Sequence, residues 1–240
     1  MQIYSKCDIG KVRHSNQDAF FAAEIEHNAV FAIVCDGMGG ANAGNVASET
    51  AVRIISDYIM RSYRLSMDTE ATEKMIKNAI ESANIEIYDT ALKNPELQGM
   101  GTTVVIAIAE GDRAVIAHVG DSRAYLINDK IKQLTRDHSV VQSLVESGKI
   151  SAEDAKVHPE KNVITRALGA EENVIADITH IPFSKGESLL LCTDGLSSFI
   201  DEKSIFESVS MRDGSAADKL VDKANENGGG DNITVVILDK

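Results

Sequence analysis

The sequence predicts an α+β layered domain, in which antiparallel sheets carry helices on their outer faces, rather than a doubly wound parallel sheet. Short β-type runs recur from one end of the 240-residue chain to the other. Two of their junctions, Glu110-Gly111-Asp112 and Asn128-Asp129, carry the residues of tight hairpins. The helical patterns enter between runs of strands instead of alternating with them singly.

In chain order, strands are expected over Asp18 to Ala23 and over the very apolar Ala29 to Cys35. Two long helices follow. In the first, Val46, Ala47, Thr50, Ala51, Ile54, Ile55, Tyr58 and Ile59 share one face; in the second, Ala71, Met75, Ile76, Ala79, Ile80, Ala83, Ile87 and Ala91 do so. Both faces need a sheet to lie on. Strands resume at Thr102 to Ala109, Ala114 to Val119 and Ala124 to Ile127. From Ser139 to Gly169 the pattern is mixed and polar, and reads as a helical excursion outside the sheets, a mobile flap. Strands at Val174 to Ile181 and Ser188 to Cys192, a helix at Ala216 to Ala224 and a last strand at Ile233 to Leu238 complete the chain.

Pro is scarce, no internal repeat is found, and Gly228-Gly229-Gly230 is the one glycine tract, so residues 1–240 are expected to form one domain. Charged residues at 25% and hydrophobic residues at 43% are ordinary globular values. The balance of 24 Lys+Arg against 37 Asp+Glu, a net charge of −13, argues against a nucleic-acid binder, which needs a basic face for phosphates. No apolar run approaches the roughly 18 residues of a membrane span, and Met1-Gln2-Ile3-Tyr4-Ser5-Lys6 lacks the apolar stretch of a signal peptide, so a soluble, cytoplasmic protein is expected. Cys7, Cys35 and Cys192 cannot all pair within one chain, and no disulfide is expected; strand alternation turns Cys35 away from Asp36 and into the core.

The informative residues are aspartates at the ends of apolar strands. Val34-Cys35-Asp36-Gly37 and Leu191-Cys192-Thr193-Asp194-Gly195 each drive an apolar run into Asp-Gly. Asp231 stands just before the last strand, Asp121 follows another apolar run in Val119-Gly120-Asp121-Ser122-Arg123, and Asn16-Gln17-Asp18 opens a fifth. Asp-Gly is also a good turn dipeptide, and Asp213-Gly214, after polar Met211-Arg212, is expected to be nothing more. If the apolar strands lie side by side, however, their ends gather carboxylates that repel one another unless cations sit between them. Oxygen ligands without Cys or His suit a hard ion, Mg²⁺ or Mn²⁺.

Here the chain resembles a known family. Arg13 with Asn16-Gln17-Asp18, Asp36-Gly37-Met38-Gly39-Gly40, Gly99-Met100-Gly101-Thr102-Thr103, Val119-Gly120-Asp121-Ser122-Arg123, Thr193-Asp194-Gly195-Leu196 and Asp231-Asn232-Ile233-Thr234 match, in order, the motifs of the metal-dependent PP2C (PPM) protein phosphatases. The match runs from about Lys6 to Leu238 and looks most like the short stand-alone bacterial members. The resemblance implies a four-layer α/β/β/α sandwich, two antiparallel sheets face to face with helix pairs outside. It implies two Mn²⁺ or Mg²⁺ ions, with Asp36 bridging them, the Gly37 carbonyl on one, Asp194 and Asp231 on the other, and Asp18 acting through metal-bound water. Asp121 with Asp194 would take a third, weaker ion, Arg13 would clamp the substrate phosphate, and residues 139–169 would be the flap. The implied reaction is hydrolysis of phosphoserine and phosphothreonine in proteins by a metal-bridging water or hydroxide. The implied partners are substrates of a cognate Ser/Thr kinase and the kinase itself, and the implied state is a monomer.

Two other readings fit parts of the sequence. Cys7-Asp8-Ile9-Gly10-Lys11-Val12-Arg13 fits the C-x5-R loop of thiolate phosphatases, although Asp8 inside it would repel a phosphate dianion. A pseudophosphatase would keep the fold without turnover, yet none of Asp36, Asp194 and Asp231 is missing. The relatives commonly place a proposed general-acid histidine where this chain has Met38 or Ala41; His138 and His158 are the alternatives, each also readable as a structural histidine. If that acid has been lost, Ala41→His is expected to speed phosphoserine hydrolysis more than p-nitrophenyl phosphate hydrolysis, because the alkoxide leaving group is the more basic; steady-state rates on the two substrates decide it.

Overall fold

A computed structural model describes residues 1–26, 29–40 and 43–240. The strands are β1 (Gln2–Asp8), β2 (Asp18–Glu24), β3 (Val30–Met38), β4 (Gly101–Thr102), β5 (Val104–Glu110), β6 (Arg113–Val119), β7 (Arg123–Ile127), β8 (Ile131–Gln133), β9 (Asp177–Pro182), β10 (Ser188–Cys192) and β11 (Ile233–Asp239). The α-helices are α1 (Ala43–Ser62), α2 (Thr69–Lys93), α3 (Val140–Glu146), α4 (Ala152–Val157), α5 (Asp194–Ser197), α6 (Glu202–Ser210) and α7 (Ala216–Glu226).

The strands form two antiparallel sheets, one in the order β1-β11-β10-β7-β8 and the other β2-β3-β5-β6-β9 with β4 beside β3. Alternation along the central strands builds three core layers. In β3, Val30, Ala32 and Val34 meet Leu189 and Leu191 of β10 and Val236 of β11 between the sheets. Phe31, Ile33 and Cys35 point the other way, onto Ala47, Ile55 and Ile59 of α1 and Ile76, Ile80 and Ile87 of α2. Leu190, Val235 and Ile237 face Ile205 and Val209 of α6 and Leu220 and Val221 of α7. The result is the four-layer sandwich, and it explains the unbroken apolar runs: strands covered on both faces have no polar side.

The sequence expectations depart from this in identifiable places. Strand β1 was not expected, because an edge strand reading Gln2-Ile3-Tyr4-Ser5-Lys6 is laced with polar residues, yet it pairs with β11 along its full length from Gln2↔Asp239 to Asp8↔Ile233. The run at Thr102 is broken by Thr103, so that Gly101-Thr102 pairs with Met38 and Gly37 while Val104 onward follows β5. The run from Val174 becomes a strand only at Asp177; Val174 and Ala176 pack against the helical core instead. Helix α6 was also not expected. The polar excursion does hold helices, α3 and α4, which bury no residue and are capped by Ser139 and Ser151. The three cysteines are free, with Cys35 and Cys192 buried. Among the described residues no helix is long and apolar enough to cross a membrane.

Ile106 of β5 is fully buried in the helix-facing layer, whereas Ile85 of α2 is 49% exposed. Ile106→Ala is expected to lower unfolding free energy by about 2–5 kcal/mol and Ile85→Ala to change it by less than about 0.5 kcal/mol, measured by urea denaturation.

Candidate active site

Both sheets deliver carboxylates to the same end of the sandwich. Asp18 opens β2 and is the cross-strand partner of Asp36 in β3, so two like charges stand directly opposite each other. From the other sheet, Asp194 follows β10 as the first residue of α5, and Asp231 precedes the neighbouring strand β11. Asp121 comes from the turn between β6 and β7, which carries the chain from one sheet to the other.

Threonines hold these groups in place. Asp18 accepts at Oδ2 from the hydroxyls of Thr193 (2.9 Å) and Thr234 (2.7 Å), residues of the opposite sheet, so this carboxylate ties the two sheets together. The Asp36 backbone is held at both ends: its N–H donates to Thr103 Oγ1 (2.9 Å), and its carbonyl accepts from Thr102 Oγ1 (2.9 Å) and the Thr103 N–H (2.9 Å). Asn232 donates to the carbonyls of Ile9 and Ser15 and accepts the Gln17 N–H (2.8 Å), pinning the loop that carries Arg13. Gly37 lies so close to the start of α1 that a Cβ on it would sit 2.0 Å from the Gly44 carbonyl oxygen, so the residue after Asp36 must be glycine.

The electrostatics mark the site apart from the rest of the surface. Burial, followed by the charges of Asp18, Asp194, Asp121 and Asp231, pushes the Asp36 carboxyl far above the ordinary range. Burial pushes Asp18 and Asp121 up to about 7 each; Asp194 and Asp231 add to it for Asp18, Asp194 and Asp137 for Asp121. Asp194 is raised too, by burial and then by Asp231. Asp213, the Asp-Gly expected to be a plain turn, goes the other way: bonds from exposed Lys219 and from Ser215 hold it well below the usual range. One dipeptide thus sits in two environments.

Of the other residues singled out in the sequence, Arg13 reaches the site and its Nη2 donates to Asp231 Oδ2 at 2.7 Å. The setting of Cys7 is the reverse of thiolate activation: its Sγ accepts from Asn16 Nδ2 (3.0 Å) and lies 3.1 Å from Thr234 Oγ1, whose one proton goes to Asp18, and burial raises the thiol. His138 is fully hydrogen-bonded, and His158 caps α4 on the flap. Ala41 lies outside the described residues, and Met38 ends β3. A cavity of about 560 Å³ opens beside Asp121 and Asp194, walled by Val141, Val145 and Ala155 of the flap and by Phe199 and Ile200 opposite. Thr193, Thr234 and Asn232 were not singled out as holders of the site. The only advance signal for them was their place next to aspartates in Thr193-Asp194 and Asp231-Asn232-Ile233-Thr234.

Residues 11–222 match the family model described as Protein phosphatase 2C. The chain belongs to the protein phosphatase 2C family. The serine/threonine phosphatase stp of Listeria monocytogenes is 43% identical over 238 residues, 98% of this chain and 94% of that protein. The crystal structure of serine/threonine phosphatase Stp1 from Staphylococcus aureus superposes with a TM-score of 0.91 at 34% identity, over 100% of this chain and 94% of that one. The catalytic domain of serine threonine protein phosphatase PstP in complex with two manganese ions superposes with a TM-score of 0.87 at 31% identity, over 99% and 97% of the two chains. Asp231 lies beyond the span of the family match and is placed by the fold, just before β11, the strand that pairs with the β10 strand leading to Asp194.

Protein phosphatase 2C enzymes are metal-dependent, and the residues of this chain fit divalent cations. Asp18 Oδ1 and Asp194 Oδ1 are buried without any protein donor. Among the described residues Arg13 on Asp231 is the one cation paired directly with the five aspartates. Protein-only stability has the opposite sign to that of a salt-bridged site. Asp18 and Asp121 keep their protons up to about 7 in the fold and lose them near 3.8 when unfolded, so the folded chain binds the more protons in between. In EDTA the urea midpoint is therefore expected to fall as pH rises from about 4 to about 7, and Mn²⁺, which competes with those protons, is expected to restore stability increasingly over the same range.

Proposed function

We propose that the protein hydrolyses phosphoserine and phosphothreonine in proteins, with residues 1–240 acting as one catalytic domain and as a monomer in the cytoplasm. The observation that carries this reading is the convergence of Asp18, Asp36, Asp194 and Asp231 from two sheets, with buried carboxylate oxygens that lack protein donors and an arginine at the rim.

In this reading Asp36, the Gly37 carbonyl, Asp194 and Asp231 would hold two Mn²⁺ or Mg²⁺ ions, and Asp121 with Asp194 would hold a third. When bound, such ions would supply positive charge that offsets the carboxylates of the pocket and would make a water acidic enough to serve as the nucleophile. Asp18, anchored by Thr193 and Thr234, presents its remaining oxygen inward to accept hydrogen bonds from solvent at the ions. Arg13 is half exposed and carried by a loop pinned through Asn232, which lets its planar fork leave Asp231 for two phosphate oxygens of the substrate. The negative charge of the rest of the surface disfavours broad attraction to phosphates, so recognition falls to this site and its flanking cavity. The relatives' names, serine/threonine phosphatases, support this reading of the substrates, and in it the counterpart of the enzyme is a Ser/Thr kinase whose products, and whose own phosphorylated form, it reverses.

Asp194→Ala is expected to lower kcat/KM on a phosphothreonine peptide by about a hundredfold or more across a Mn²⁺ titration, since several kcal/mol of charge stabilisation is at stake. Undiminished turnover would remove the assignment of the site.

A further inference from the structure

The turn that carries Asp121 is held from two sides. Inside, Gly120 adopts φ +106°, a Cβ on it would sit 2.6 Å from Thr103 Cγ2, and Ser122 Oγ bonds Thr103 Oγ1 at 2.7 Å. Outside, one residue makes both remaining bonds to Gly120: the His138 N–H donates to the Gly120 carbonyl (3.0 Å), and His138 Nδ1 lies 3.0 Å from the Gly120 N–H. A backbone N–H can only donate, so Nδ1 is the bare nitrogen and Nε2 carries the proton. Nε2 faces Asp177 Oδ2 at 3.3 Å, and Asp177 Oδ1 accepts from Arg166 Nη1 at 2.8 Å.

These residues stand at the root of the flap. The His138 carbonyl accepts the Thr165 N–H (2.7 Å), Ser139 bridges Ile164, and the Val140 N–H donates to the Val163 carbonyl (2.9 Å), so the two legs of the 139–165 segment are zipped together next to Arg166. Asp177 opens β9 opposite His118, whose ring stacks on His138 at 4.7 Å and 14°.

We propose that Arg166, Asp177 and His138 form a positioning relay through which the root of the flap sets the placement of Asp121. The proposal rests on the reading of Asp121 as a ligand of the third, weaker ion. Arg166 orients the Asp177 carboxylate, the carboxylate fixes the His138 tautomer, and the bare Nδ1 then holds the Gly120 amide, one residue from the ligand. Burial keeps the His138 ring neutral, as the relay requires.

His118, His138 and Asp177 are also the one trio of metal-ligating side chains within 4.8 Å of each other among the described residues. They do not make a second metal centre. His118 Nε2 is bound to the Arg136 carbonyl (2.8 Å), both nitrogens of His138 are engaged, and the in-plane lone pairs of two stacked rings run parallel instead of converging.

The test follows Mn²⁺ binding by calorimetry and amide exchange at Gly120 by NMR. Asp177→Ala and Arg166→Met change partly exposed side chains, so folded protein is expected even if His138→Ala does not fold. Each is expected to raise the dissociation constant of the weakest Mn²⁺ by about ten- to a hundredfold, to speed Gly120 exchange and to leave the tighter ions unchanged. His138→Asn, whose amide oxygen can stand in for Nδ1, is expected to protect Gly120 better than His138→Ala. Asp121→Asn is expected to remove the weak phase, and adding Asp177→Ala to it to cost nothing more. If Asp121→Asn removes the weak phase while Asp177→Ala and Arg166→Met leave both binding and exchange as in the wild type, the relay is wrong. If Asp121→Asn leaves Mn²⁺ binding unchanged, the ligand reading beneath it is wrong.

Discussion

Carboxylates brought together at one end of a β-sandwich repel one another, and burial denies them the water that would otherwise screen the repulsion. Asp18 and Asp36 stand as direct cross-strand neighbours, with Asp194 added from the other sheet and burial pushing all three upward. Such a cluster is a poor way to stabilise a fold and a good way to hold divalent cations. The same groups that weaken the metal-free chain are oxygen ligands of the kind that hard ions take. Much of the surrounding structure serves to keep that arrangement from relaxing.

The rigidity comes from two sources. Three apolar layers, two against helices and one between the sheets, fix where the strand ends lie. Hydroxyls and amides then fix the carboxylates themselves: Thr193 and Thr234 reach across from one sheet to Asp18 in the other, and Thr102 and Thr103 hold the Asp36 backbone on both sides. An oxygen of Asp18 spent on two hydroxyls leaves the other free to face the site. Less of the flap is tied in this way. Its helices bury nothing, and its legs attach at the His138 root, beside the turn of Asp121.

Strands covered on both faces were legible because burial on both sides leaves an unbroken apolar run, and α1 and α2 because each buries one continuous stripe. Strand β1 was not, since an edge strand is free to be polar and is held by the ladder to β11 rather than by its own pattern. The aspartates of the site were legible as carboxylates where an apolar strand has no use for one, and Asp213 as an exposed turn by the polar residues before it. Thr193, Thr234, Asn232 and the His138 contacts were not, because a threonine on a strand or a histidine in a polar stretch has an ordinary local explanation. Their roles arise from partners between 18 and 223 residues away in sequence.

By itself, then, the sequence indicated the layered α+β architecture, the helical excursion of residues 139–169, the free cysteines and the aspartates that stand at the ends of apolar strands. These follow from local patterning, since alternation, helical stripes and a charge at the end of an apolar run are properties of neighbours along the chain. Only the tertiary structure decided that Asp18 faces Asp36, that Arg13 rests on Asp231, that Cys7 is a partly buried acceptor and that His138 binds Gly120 beside Asp121. Each of these depends on strand register and on the packing of one sheet on the other, and register is set by the pairing of distant segments, which no stretch of local sequence encodes.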